Sequence, residues 1–381
     1  MLVWKDGCRA SAYRFGIAGD FLPAAGLSPM GDETWSERAK PIVPLFQDLA
    51  FTVLNLECPV DIEGIAPRVK ASLGDSFAAR IESLGYISGL GVSVVGIANN
   101  HLYDFGRTGA ERTLRHVQSK FSVCGFGRTL RQSPSVCIRE VAEGVRVGIW
   151  ATARNLPDFA TDNSIGIEPA TRERASQALA NMRDRDVRCR VAFLHAGVEG
   201  TNYPDPEDAE FMEELGEMGF DVVAACHSHR ISGYKSVRER NDRIAHCFYG
   251  LGSLSSGVLY SPFEHEGIIA VISLDSSGAV SEVEARPVYL DERGWGTVPS
   301  LEHAARILDR FHEVSAAIRD GSYRQAFYRD ISRDMIGIQW RDVHAAFQQA
   351  GLRGVLKKLT RMRPAHVRRL YRKSLAGIGL G

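Results

Sequence analysis

The chain has 381 residues, enough for one large domain with an appendage or for two domains. Hydrophobic residues make up 44% and charged residues 24%, as in an ordinary globular protein. Lys+Arg and Asp+Glu are both 46, so the formal net charge is zero, which argues against a nucleic-acid-coating or an acidic solvating protein.

Taken in chain order, short apolar runs rich in Val, Ile and Phe predict strands: "FGIAGD", "LAFTVLNLE", "VSVVGIANN", "FSVCGFG", "VRVGIWA", "CRVAFLHAG", "FDVVAACHSH", "AHCFYGLGS" and "GIIAVISLD". Helical spacing lies between several of them. "DSFAARIESLGYISGLG" sets Phe77, Ile81, Leu84 and Ile87 at steps of three and four, and "TGAERTLRHVQSK" and "DAEFMEELGEMG" read the same way. Apolar strands separated by helices predict an α/β fold with parallel pairing early in the chain and hairpin-like strands towards residue 290. From about Ser300 the pattern is helical only. "DERGWGTVPS" marks a boundary, giving expected units of 1–295 and 296–381.

Five apolar runs end in residues that bind cations or move protons: Asp20, Glu57, Asn100 with His101, His195, and His227 with His229. A polar residue at one strand end is commonly only a turn former. Five such ends on one sheet edge are a donor set, because ligands in open α/β sheets bind at the carboxyl ends of strands. Carboxylate, amide and imidazole donors together suit a divalent metal. Cys226 is the thiol nearest this pattern, and a thiolate site is not expected.

The seven cysteines (Cys8, Cys58, Cys124, Cys137, Cys189, Cys226, Cys247) are odd in number and form no CxxC. Reduced thiols and a cytoplasmic location are expected, with neither a disulfide frame nor a zinc ribbon. No run of about 18 apolar residues occurs, so no transmembrane segment is expected. The first residues lack the apolar core of a signal peptide.

The pieces "GIAGDFLPA", "FTVLNLECPV", "VVGIANNHLYDFGRTGAERTL", "VAFLHAGVEG", "FDVVAACHSHR" and "HCFYGLGSL" resemble, in order, the CapA family of poly-γ-glutamate capsule synthesis proteins. The resemblance implies a calcineurin-like metallophosphatase fold, a four-layer αββα sandwich, here with a C-terminal helical extension. It implies metal ligation by Asp20, Glu57 (as a bridge), Asn100, His195, His227 and His229. His101 is then a general acid, and Asp104 orients it. One or two divalent ions (Mn, Fe, Zn or Mg) are the implied cofactor. The chain departs from metallophosphatases at large in having Phe21 and Leu22 where Asp-x-His is usual after Asp20. It also has "HSH" without the family's proline, and no amino-terminal anchor of the kind usual in the family is expected from its first residues.

Two reactions fit these residues. The first is metal-assisted hydrolysis or ligation at a phosphoryl or acyl centre of a peptide or polyglutamate-type substrate. The second is peptide Cα epimerisation, which the family resemblance also permits. It needs no metal and would use Asp20 with a histidine, His265 of "PFEHEGIIAV" being the candidate. A non-catalytic binding protein on a degenerate fold is the third alternative. After Asp342 no acidic residue follows, while Arg353, Lys357, Lys358, Arg361, Arg363, Arg368, Arg369, Arg372 and Lys373 do. That basic stretch is a solvated face or a contact for an anionic surface or an acidic polymer. No nucleic-acid partner is expected.

Overall fold

The computed structural model describes residues 1–331 apart from 8–9, 25–26, 69–75, 239–242 and 260–261. In chain order the strands are β1 (Leu2–Lys5), β2 (Tyr13–Leu22), β3 (Thr52–Leu56), β4 (Val92–Gly96), β5 (Ser122–Cys124), β6 (Phe126–Arg128), β7 (Val136–Ala142), β8 (Val145–Ala153), β9 (Gly166–Ile167), β10 (Val187–Ala196), β11 (Val222–His227), β12 (Tyr234–Arg238), β13 (Ile244–Phe248), β14 (Ser253–Ser256), β15 (Glu266–Leu274), β16 (Val280–Leu290) and β17 (Gly296–Thr297). The helices are α1 (Trp35–Arg38), α2 (Leu84–Ser88), α3 (Gly106–Gln118), α4 (Arg172–Arg183), α5 (Pro206–Met218) and α6 (Leu301–Asp320).

Two sheets carry the architecture. The first has the order β1-β16-β15-β2-β3-β4-β5, with β14 added beside β2 and β17 beside β16. The second has the order β12-β13-β11-β10-β8-β7. As expected, β2 through β5 pair in parallel, while β15 and β16 form an antiparallel hairpin. Phe15, Ile17 and Val53 of the first sheet meet Ile149, Val191 and Phe193 of the second in one apolar layer. Outside the first sheet, α2 and α3 bury Leu84, Ile87, Ala110 and Val117. Outside the second, α4 and α5 bury Ala178, Leu179, Met212 and Leu215. The result is the four-layer αββα sandwich that the family resemblance implies.

The predicted helix over 108–120 is α3, and that over 208–219 is α5, which Asp205 caps by accepting a bond from Glu207 N. The stretch 75–91 forms less helix than its spacing predicts, a 3-10 turn at Ile81–Ser83 running into the short α2. Ser300 caps α6 by accepting from His303 N. The expected boundary at 295/296 falls just before β17, which pairs with β16. Beyond it, α6 sends Ile307 and Phe311 into the layer between the sheets. The part of the helical pattern beyond residue 331 and the basic run 353–373 lie outside the described residues.

Candidate metal centre

Alternation along the strands delivers the site. On the face between the sheets, β10 presents Val191, Phe193 and then His195, and β11 presents Val222, Ala224 and then Cys226. β3 presents Phe51 and Val53, then Asn55, with Glu57 next. β2 does not follow this count, because its register against β3 shifts between Ile17 and Asp20. The irregularity brings Asp20 round to Asn55. Gly19 lies in that irregularity, and a Cβ there would overlap the Gly252 carbonyl oxygen. His227 and His229 have φ of 112° and 56°, which non-glycine residues seldom adopt. The chain leaves β11 in a bend that turns both imidazoles towards the carboxylates.

Asp20 and Glu57 are fully buried. Glu57 Oε1 lies 3.3 Å from His195 Nε2 and 3.9 Å from His227 Nδ1, and Oε2 lies 3.6 Å from His229 Nε2. Asp20 Oδ2 lies 3.5 Å from His229 Nδ1 and accepts a 2.9 Å bond from His227 N. Asn100 Oδ1 sits 2.8 Å from His195 Nε2. Two donor sets, Glu57–His195–His227 and Asp20–Glu57–His229, each have their ligand atoms within 4.8 Å of one another. Glu57 belongs to both.

Burial pushes the His195 imidazole well below its ordinary range, and neighbouring imidazoles push the same way. Burial likewise lowers His227, against a partial opposing pull from Glu199. Two imidazoles held neutral cannot balance two buried carboxylates, whereas a divalent cation would. Neutral imidazole is also the form that binds metal. The donor set therefore fits the implied ion.

His101 and Asp104 form the second part of the site. His101 Nδ1 and Asp104 Oδ2 are 2.9 Å apart, so the carboxylate fixes the proton on Nδ1 and leaves Nε2 as the other ring nitrogen. The same Oδ2 accepts a 2.7 Å bond from Phe77 N, and the Phe77 ring packs 4.7 Å from the imidazole. His265 is placed apart from this cluster. Its Nδ1 donates to Leu290 O at 2.8 Å, and its ring faces Tyr289.

Several residues escaped the sequence reading. Asn55 donates to Asp20 Oδ1 at 2.7 Å and stands 3.3 Å from His195 Nδ1. Asn99 donates to Asn55 Oδ1 and Leu56 O, and its own Oδ1 accepts from His101 N and Leu102 N. Glu199 accepts from Asn100 Nδ2 at 3.4 Å, and Ser253 Oγ lies 3.2 Å from His229 Nδ1. Each sits inside a stretch already quoted, and Asn55, Asn99 and Glu199 lie one to four residues from a chosen position, while Ser253 of "YGLGS" has none near it in sequence. Cys226, read as outside the site, has Sγ 3.6 Å from His195 Nδ1.

Residues 14–257 match the model of the family described as bacterial capsule synthesis protein PGA_cap, and the chain belongs to that family. Among curated relatives it is similar to the capsule biosynthesis protein CapA of Bacillus anthracis, 21% identical over 218 residues, covering 56% of this chain and 52% of the relative. It is likewise similar to the PGA biosynthesis protein CapA of Bacillus subtilis (strain 168), 21% identical over 215 residues, covering 56% and 54%. The chain thus spans about half the length of the curated relatives it matches. Solved structures similar to it include the NAD nucleotidase NadN of Haemophilus influenzae, with TM-score 0.45 and 12% identity, covering 80% of this chain and 56% of that one. Another is the calcineurin-like phosphoesterase YfkN of Bacillus subtilis, with TM-score 0.44 and 14% identity, covering 79% and 97%. No helix among the described residues is long and apolar enough to cross a membrane.

Proposed function

We propose that this chain is a divalent-metal-dependent enzyme that hydrolyses or ligates a phosphoryl or acyl centre of a peptide or polyglutamate-type substrate. The observation that carries the reading is Glu57, a buried carboxylate with three imidazoles within 3.9 Å and membership in two donor sets. Asp20, Glu57, Asn100, His195, His227 and His229 would hold the ion or ions. A cation there supplies Lewis acidity, which acidifies water and polarises a phosphoryl or acyl oxygen.

The chain's own groups do the rest. Asp104 keeps the His101 Nδ1 proton in place, so a proton is moved at Nε2, where His101 serves as general acid. Asn55 holds the Asp20 carboxylate in one orientation. Glu199 and His195 together fix the Asn100 amide, which determines the way its oxygen points. The polyglutamate-type substrate is suggested by the likeness to capsule and PGA biosynthesis proteins. Epimerisation is the second reading: His265, its expected partner for Asp20, bonds Leu290 O, whereas His229 lies 3.5 Å from Asp20 Oδ2.

Elemental analysis of protein purified without chelator tests the reading. One to two equivalents of Mn, Fe or Zn, lost in Asp20→Ala, are expected. A folded wild-type protein that takes up no divalent metal would refute it and favour acid/base epimerisation.

A further inference from the structure

Cys226 has no part in the reading above, yet its surroundings are those of a ligand. It stands on β11 level with His195 on β10, in parallel register, so both side chains leave the second sheet on the face towards Asp20. Its Sγ lies 3.6 Å from His195 Nδ1, and Asp20 Oδ1 lies 3.9 Å from the same nitrogen. Ligand atoms of Asp20, His195 and Cys226 fall within 4.8 Å of one another, and all three residues are buried. The opposite nitrogen, Nε2, faces Glu57 and Asn100. His195 therefore separates two donor sets, one of oxygen and nitrogen and one that contains sulfur.

We propose that Cys226 is a sulfur ligand of this centre, closing a position with Asp20 and His195 Nδ1 and tilting the site towards Zn(II), Co(II) or Fe(II) and away from Mg(II). The inference rests on the metal reading of the site. Thiolate is a soft donor, and one soft donor among hard ones shifts metal preference towards thiophilic ions. On binding, the S–H bond breaks, its proton passes to solvent and a sulfur–metal bond forms, while His195 ligates through Nδ1 alone and keeps its one N–H proton on Nε2, 2.8 Å from Asn100 Oδ1. No oxidant or reductant enters. The competing role for the thiol is a structural S–H bond to Leu194 O, at 3.5 Å.

The full chain, stripped with chelator and titrated with Co(II), separates the two roles. Sulfur ligation predicts a near-ultraviolet thiolate-to-cobalt charge-transfer band that rises to a plateau with bound cobalt. Cys226→Ser should lose the band while still binding cobalt, and its preference for Zn(II) over Mn(II) should fall roughly tenfold or more. If the serine variant does not fold, Cys226→Ala reads the same loss. Cys58→Ser should keep the band, since Cys58 is a buried thiol in none of the donor sets. Bound cobalt without the band, or a band that survives in a folded Cys226 variant, overturns sulfur ligation and leaves the oxygen and nitrogen centre standing. No cobalt uptake at all overturns the metal reading and this inference with it.

Discussion

The space between the two sheets is apolar over most of its length and polar at one end, and the same strands build both parts. Val191 and Phe193 precede His195, Val222 and Ala224 precede Cys226, and Val53 precedes Asn55, each on one face at steps of two. The apolar part is packed closely enough that a Cβ on Gly96 would sit 3.4 Å from the Phe193 ring and 3.2 Å from Ala151 Cβ. The polar part gathers two carboxylates and three imidazoles in a buried place, which costs desolvation energy. The difference between them is a division of labour. Hydrophobic burial along the strands supplies the stability, and the strand ends use it to hold donors that would otherwise repel or rearrange.

That division can be broken by exchanging the sites of damage. The largest loss of stability is expected from Phe193→Ala, about 3–5 kcal/mol, read by chemical denaturation of the chelated protein. Glu57→Gln should do the reverse. It should abolish stoichiometric metal binding yet leave the chelated protein as stable as wild type or more so, because a buried charge is removed. Chelated Glu57→Gln that unfolds as readily as Phe193→Ala would mean the cluster is structural. A finer cut is His101→Ala, which should retain metal and lose turnover by about 10²–10⁴-fold. Loss of metal in that variant would place His101 among the ligands and remove its role as general acid.

How far the sequence could be read follows from the same geometry. Ligand-type residues at strand ends are visible because a run of apolar residues stops there; apolar runs alternating with helices give the α/β class and the early parallel pairing, while the layering rests on the family resemblance. Asn55 was not visible, because it lies one step inside its strand, where the inner face turns polar before the run ends. The path of β2 was hidden too. Simple alternation from Phe15 and Ile17 puts position 19 inward, and only the crossing of Gly19 over Gly252 brings Asp20 there. His265 is a candidate because it precedes a strand among acids, and at the open end of the β15–β16 hairpin its Nδ1 bonds Leu290 O, a partner 25 residues on that the hairpin pattern alone does not name. Helix α4 gives a weak signal, since two of its four buried apolar residues are alanines, Ala175 and Ala178 beside Leu179 and Met182. It is anchored by Arg174, whose guanidinium pairs with the buried Glu168 through two bonds of 2.7 and 2.8 Å.

One titratable group on the apolar side sharpens the comparison by the smallest effect. His246 of β13 is fully buried, with Nδ1 2.7 Å from the Tyr234 hydroxyl and its ring 4.5 Å from that of Trp4. Its Nε2 has no hydrogen-bond partner among the described residues. Burial pushes its pKa from an ordinary 6.5 down to about 3. Between those values the unfolded chain holds a proton that the folded one refuses, so stability falls as pH drops through that window and is unchanged above it. Each pH unit in the window corresponds to about 1.4 kcal/mol at most. His195 and His227 are lowered by burial as well and slope the same way. The test is therefore the difference between wild type and His246→Gln, both chelated, with unfolding free energy measured from pH 7 to pH 4. The variant should show a shallower fall, by about one proton's worth of slope. Identical slopes would mean that His246 takes up its proton without unfolding the sheet.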